Sequence, residues 1–173
     1  MLLDTRLFQK LYKPIKKILM IKINVIVDNI SWKKYIKKPN SYLNTRAKIL
    51  NKKNKLIKSG KFTFSIMLSS NIKIKNLNKK FRKKNKTTDV LSFPFYEKKV
   101  LNSLVKEKKE IYLGDIIINL SKIKDKNNSK KFNRKFNDLW IHGLSHLFGY
   151  THKGNKDYKK MLNVEKNFSN LIN

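Results

Sequence analysis

The sequence predicts one domain of the α+β or α/β class. Segments with the period-two alternation of strands are interleaved with segments of helical spacing. The 173 residues fit a single core. A 40% hydrophobic content, with 10 Phe, 7 Tyr and 2 Trp, supplies the apolar surface that such a core requires.

IKINVIVDN, from Ile21, alternates apolar and polar residues, is rich in β-branched side chains and reads as a strand. SYLNTRAKILNKKNKLIKSG follows with apolar residues at helical spacing and a plausible stop at Gly60. KFTFSIMLSS, from Lys61, is a second strand, and NIKIKNLNKKFRKKN a short helix with Ile74, Leu77 and Phe81 along one face. TTDVLSFPF, from Thr87, and IYLGDIIINL, from Ile111, complete a sheet of four strands. Between them, EKKVLNSLVKEKKE is charged and irregular enough to be expected as a surface loop. SKIKDKNNSKKFNRK suits a mobile connection to a helical C-terminal part. There FNRKFNDLWIHGLSHLFG carries the stripe Phe136, Leu139, Trp140, Leu144 and Leu147, and DYKKMLNVEKNFSNLI closes the chain as an amphipathic helix.

The stretch TRLFQKLYKPIKKILM is interrupted by Lys10, Lys13, Lys16 and Lys17, so it holds no signal-peptide core or membrane span, and no membrane association is expected. Residues 1–19 are expected to be a basic extension, disordered or helical, ahead of one domain over residues 20–173. An interfacial helix, a transit-like segment and a start at Met20 are alternative readings of the same stretch.

The formal charge of +31 favours polyanionic partners, nucleic acid first and anionic lipid second. The excess is almost entirely Lys, and Asn is also abundant, a bias that AT-rich coding produces by itself. Absence of Cys excludes a disulfide framework and any thiolate metal site, and a cytoplasmic protein is the default.

IHGLSHLFGYTHKGN holds His142, His146 and His152, all three histidines of the chain. Four residues of α-helix advance a side chain by about 400°, so His142 and His146 project from one face, one turn apart. Gly149 can adopt the left-handed conformation that ends a helix, doubling the chain back and bringing His152 to the same point. Three imidazoles with one position left for water form a catalytic zinc arrangement, in which the cation lowers the pKa of bound water to about 7. The spacing HxxxHxxGxxH also matches metzincin proteases. Those require Glu directly after the first His as general base, and Gly143 stands there.

Arginines occur only at positions 6, 46, 82 and 134. Arg82, just before the third strand, could present its planar fork to a phosphate and stabilise charge developing during transfer; the alternative is an ordinary surface Arg. Asp89 and Asp115 lie at the mouths of strands, where carboxylates cap turns more often than they catalyse.

Four pieces stand in one order: LNKKFR, TTDVLSFPF, YLGDIII and HGLSHLFGYTH, followed by Met161 in the last helix. Together, over residues 20 to 172, they resemble the bacterial YbeY family of metal-dependent endoribonucleases, whose pattern H-G-x-x-H-L-x-G-Y-D-H is followed except at Thr151. The resemblance implies an α+β domain with a small mixed four-stranded sheet flanked by helices and a metal site at a C-terminal helix and the turn after it. It implies one zinc on His142, His146 and His152, Arg82 as the functional arginine, and single-strand-acting hydrolysis of RNA. The implied setting is ribosome biogenesis at the 3′ end of small-subunit ribosomal RNA, with the ribosome or small-subunit precursors as partners. Thr151 replaces the family Asp, which removes a charge near the metal, and Thr87 replaces a Pro. An RNA-binding factor with a structural metal is the alternative, and a metalloprotease a minor one.

Overall fold

Ile21–Val27 (β1), Lys61–Ser69 (β2), Val90–Pro94 (β3) and Glu110–Asn119 (β4) form one sheet in the order β1-β2-β4-β3. The computed structural model describes residues 21–107 and 110–173; the expected basic extension lies outside these residues. β1, β2 and β4 run parallel, while β3 pairs antiparallel to β4, with Leu91 opposite Ile117 and Phe93 opposite Asp115. The sheet is thus mixed, and the class is α+β.

Six α-helices accompany it among the described residues: Pro39–Lys53 (α1), Lys55–Lys58 (α2), Asn71–Arg82 (α3), Lys98–Lys106 (α4), Ser129–Leu147 (α5) and Asn155–Ile172 (α6). Strand alternation decides which side chains meet them. Phe62, Phe64, Ile66 and Leu68 of β2 point to one face and are buried. That face packs with the buried stripe of α5, in which Phe136, Leu139, Trp140, Leu144 and Leu147 are at most 4% exposed. Leu43, Ala47 and Leu50 of α1 and Phe168 and Ile172 of α6 join the same core. α3 covers the other face with a smaller patch, where Ile74, Leu91 and Ile117 are buried and Met67, Leu77 and Phe93 pack around them.

Three expectations change on inspection of the chain. The segment expected as a surface loop contains α4, whose Leu101 is buried while Leu104 and Val105 pack against the main core. Lys98, Lys99 and Lys106 within it, with Glu97 and Glu107 at its two ends, obscured the apolar spacing. The helix expected to run unbroken to Gly60 begins at Pro39 and breaks at Asn54, whose side chain accepts the N–H groups of Leu56 and Ile57 and so starts α2. The expected mobile connection starts within a 3-10 turn at Leu120–Lys122, and α5 already begins inside it at Ser129, capped by Asn128. Phe132 in that segment is fully packed against Trp32 and Phe136.

Candidate metal centre

α5 supplies two of the three histidines, and its end supplies the third. Gly149 takes φ 77°. Its N–H donates to the His146 carbonyl at 2.8 Å, and the Tyr150 N–H to the Ser145 carbonyl at 3.1 Å. This pair of bonds is a Schellman ending, open to glycine because of the positive φ. The chain therefore reverses as the spacing foretold, and His152 returns to the helix face. One ligand atom from each of His142, His146 and His152 lies within 4.8 Å of the others, a set able to hold one metal ion.

Hydrogen bonds fix which nitrogens point inward. His142 Nδ1 lies 2.8 Å from Glu165 Oε1 of α6, and His146 Nδ1 lies 2.9 Å from the Tyr150 carbonyl. A carboxylate and a carbonyl both accept, so each Nδ1 carries the proton and each Nε2 presents a lone pair. Those two Nε2 atoms face each other at 3.1 Å. Two lone pairs at that separation repel unless a cation lies among them, so the donor set fits a metal. Burial first, then the neighbouring charges of His142, His152 and Arg82, hold His146 below its ordinary pKa of 6.5, against the raising effect of the Tyr150 carbonyl. A neutral ring is what a metal requires.

Glu165 carries no signal in the sequence motifs. It does occupy the buried stripe of α6, in register with Met161, Phe168 and Ile172. A carboxylate in an apolar stripe asks for a partner, and His142 is that partner. At Thr151, the hydroxyl lies 3.5 Å from Asp157 Oδ2, so α6 brings a carboxylate near the position where the family pattern carries one.

Gly143 has a physical reason. A Cβ there would lie 2.8 Å from Cγ2 of Ile116 on β4, so the helix lies flush on the sheet at this residue. The metzincin glutamate has no room, and its position faces the sheet.

Arg82, the last residue of α3, donates from Nη2 to the Ser92 carbonyl on β3 at 3.1 Å. Its positive charge also bears on His146. Asp89 Oδ1 accepts the Val90 N–H at 2.9 Å and the Thr88 hydroxyl at 3.1 Å, a local turn cap. Asp115 accepts the Tyr112 hydroxyl at 2.7 Å. Its neighbour Ile116 faces α5, so Asp115 points to the opposite side of the sheet and stays apart from the histidines.

The family model described as endoribonuclease YbeY matches residues 26–173. The chain belongs to the YbeY family. Endoribonuclease YbeY of Pelagibacter ubique is 46% identical over 148 residues, covering 84% of this chain and 92% of that protein. Endoribonuclease YbeY of a Prochlorococcus marinus strain is 34% identical over 149 residues, covering 84% and 79%. The solution structure of TM1509 from Thermotoga maritima matches with a TM-score of 0.52 at 26% identity, covering 88% of this chain and 89% of that one. Among the described residues, no helix is long and apolar enough to cross a membrane.

Proposed function

We propose that this YbeY-family chain is a zinc-dependent, single-strand-acting endoribonuclease that matures ribosomal RNA at the 3′ end of the small-subunit species, in the cytoplasm. The observation that carries the metal-dependent reading is the convergence of three imidazoles whose inward nitrogens are set by Glu165 and the Tyr150 carbonyl. Family membership supports RNA as substrate. His142, His146 and His152 hold the ion, and zinc suits an all-imidazole set with no thiolate. When bound, zinc supplies a Lewis acid and a nucleophile at neutral pH. Arg82 holds the phosphate: its tie to Ser92 fixes one arm of the guanidinium, and the planar fork has five N–H donors in all. The +31 charge draws in the polyanion. Residues 20–173 form the catalytic domain and residues 1–19 a basic extension.

Purified His146→Ala should lose both stoichiometric zinc and RNA cleavage, whereas Arg82→Ala should keep zinc and lose rate. Full cleavage by a zinc-free variant overturns the mechanism. Unchanged small-subunit RNA ends in cells depleted of the protein overturn the substrate assignment.

A further inference from the structure

The end of α3 and the turn after it read KKFRKK, residues 79–84, where five cations surround one phenylalanine. Phe81 is 57% exposed although it continues the apolar face begun by Ile74 and Leu77. Its ring meets that of Phe93 edge-on, with centroids 5.3 Å apart. Lys80 Nζ lies 5.3 Å from the Phe81 centroid, and Arg82 Cζ lies 6.0 Å from that of Phe93. Beside the two rings opens a groove of about 510 Å³, whose walls include Met67, Leu77, Ile117 and the exposed Lys73. The segment is held in shape. Lys83 turns left-handed at φ 58°, the Lys84 N–H donates to the Asn78 carbonyl at 3.2 Å, and the buried Asn78 side chain donates to the Lys86 carbonyl at 2.7 Å.

We propose that Phe81 and Phe93 form a stacking platform for an unpaired base of the RNA strand whose phosphate is held by Arg82. This rests on the endoribonuclease reading and extends it to how the strand is recognised. The occupant must offer an apolar face and negative charge together, because the groove is lined mainly by apolar side chains, with Asp115 as its one carboxylate held by the Tyr112 hydroxyl, and the five cations of residues 79–84 stand at its Phe81 end. Single-stranded RNA offers both at every nucleotide, and stacking on aromatic side chains is tolerant of base identity. An apolar peptide would fill the groove but leave the cations unanswered. A duplex keeps its bases stacked on each other and has none to lend. Arg82 joins the two places: its guanidinium stands over Phe93, and its charge acts on His146.

The test uses the zinc-loaded full chain and a 2′-O-methylated single-stranded oligonucleotide carrying 2-aminopurine, whose fluorescence falls on stacking. The native chain and Phe81→Trp should quench it. Phe81→Ala and Phe81→Leu should lose the quench and bind about fivefold to a hundredfold more weakly, the range expected for one base–aromatic stack. Binding to duplex RNA should be unchanged. The exposed ring makes these variants foldable, and their zinc content checks it. Native-like single-strand affinity in Phe81→Ala, in a chain that still cuts RNA, overturns the platform alone. A native chain that neither binds nor cuts RNA overturns the endoribonuclease reading and the platform with it.

Discussion

Replacing Glu165 by Ala removes the group that orients His142. The carboxylate lies 2.8 Å from Nδ1, and the two side chains are 23% and 36% exposed, so water replaces the contact only in part. With the acceptor gone, the ring can rotate or carry its proton on Nε2, and the lone pair facing His146 Nε2 at 3.1 Å is no longer assured. Losing such a partner typically costs about 10- to 100-fold in metal affinity, or ~1.4–2.7 kcal/mol. Glu165→Gln keeps a carbonyl acceptor without the charge and should fall at the mild end of that range. The assay is competition for zinc against a chromophoric chelator near neutral pH, with thermal unfolding followed in parallel. Native zinc affinity in a folded Glu165→Ala protein would refute the role assigned to this contact.

Gly143→Ala should destabilise the protein, because overpacking costs typically about 1–3 kcal/mol against a helix-propensity gain of up to about 1 kcal/mol. Combined with Ile116→Ala in urea unfolding, the two changes should cost less than their sum, and strict additivity would contradict the close approach at 2.8 Å. Asn137 accepts both the Trp140 indole N–H at 3.1 Å and the Tyr42 hydroxyl at 3.2 Å. Asn137→Leu should therefore cost about 1–3 kcal/mol, measured in the same way, and no loss would mean that these donors find other partners. Burial raises the Tyr112 pKa above its ordinary 10.0, opposed by the Ser65 hydrogen bond and aided by Asp115. The folded chain keeps that proton longer than the unfolded one, so this contribution to stability is full below the ordinary value and is lost as pH rises through the folded pKa. Ultraviolet titration should show a late-ionising tyrosine that shifts down in Asp115→Asn; an unmoved transition counts against the pairing.

Period and spacing located all four strands and the histidine helix, because Ile21–Val27 and Lys61–Ser69 alternate cleanly and the stripe from Phe136 to Leu147 repeats at helical intervals. Local pattern carries no record of strand order, so β3 at the edge beside β4 emerges only in three dimensions. α4 escaped because Leu101, Leu104 and Val105 sit among lysines and glutamates that dominate the local composition. The three histidines able to hold a metal ion were legible since all lie within eleven residues and one glycine turns the chain. Glu165 was not, because it acts on His142 across 23 residues and no short motif joins them.

β3 is an outer strand, and such strands invite pairing with another molecule through their free backbone groups. Here the Ser92 carbonyl is occupied by Arg82, and Pro94 at the strand's end brings no amide hydrogen. The arginine proposed for the phosphate thus leaves the rim of the sheet one free acceptor fewer for a second copy to pair with. Arg82→Ala should therefore run as larger species on a sizing column, separately from any change in turnover, and an unchanged elution would mean that this carbonyl does not limit pairing at the edge.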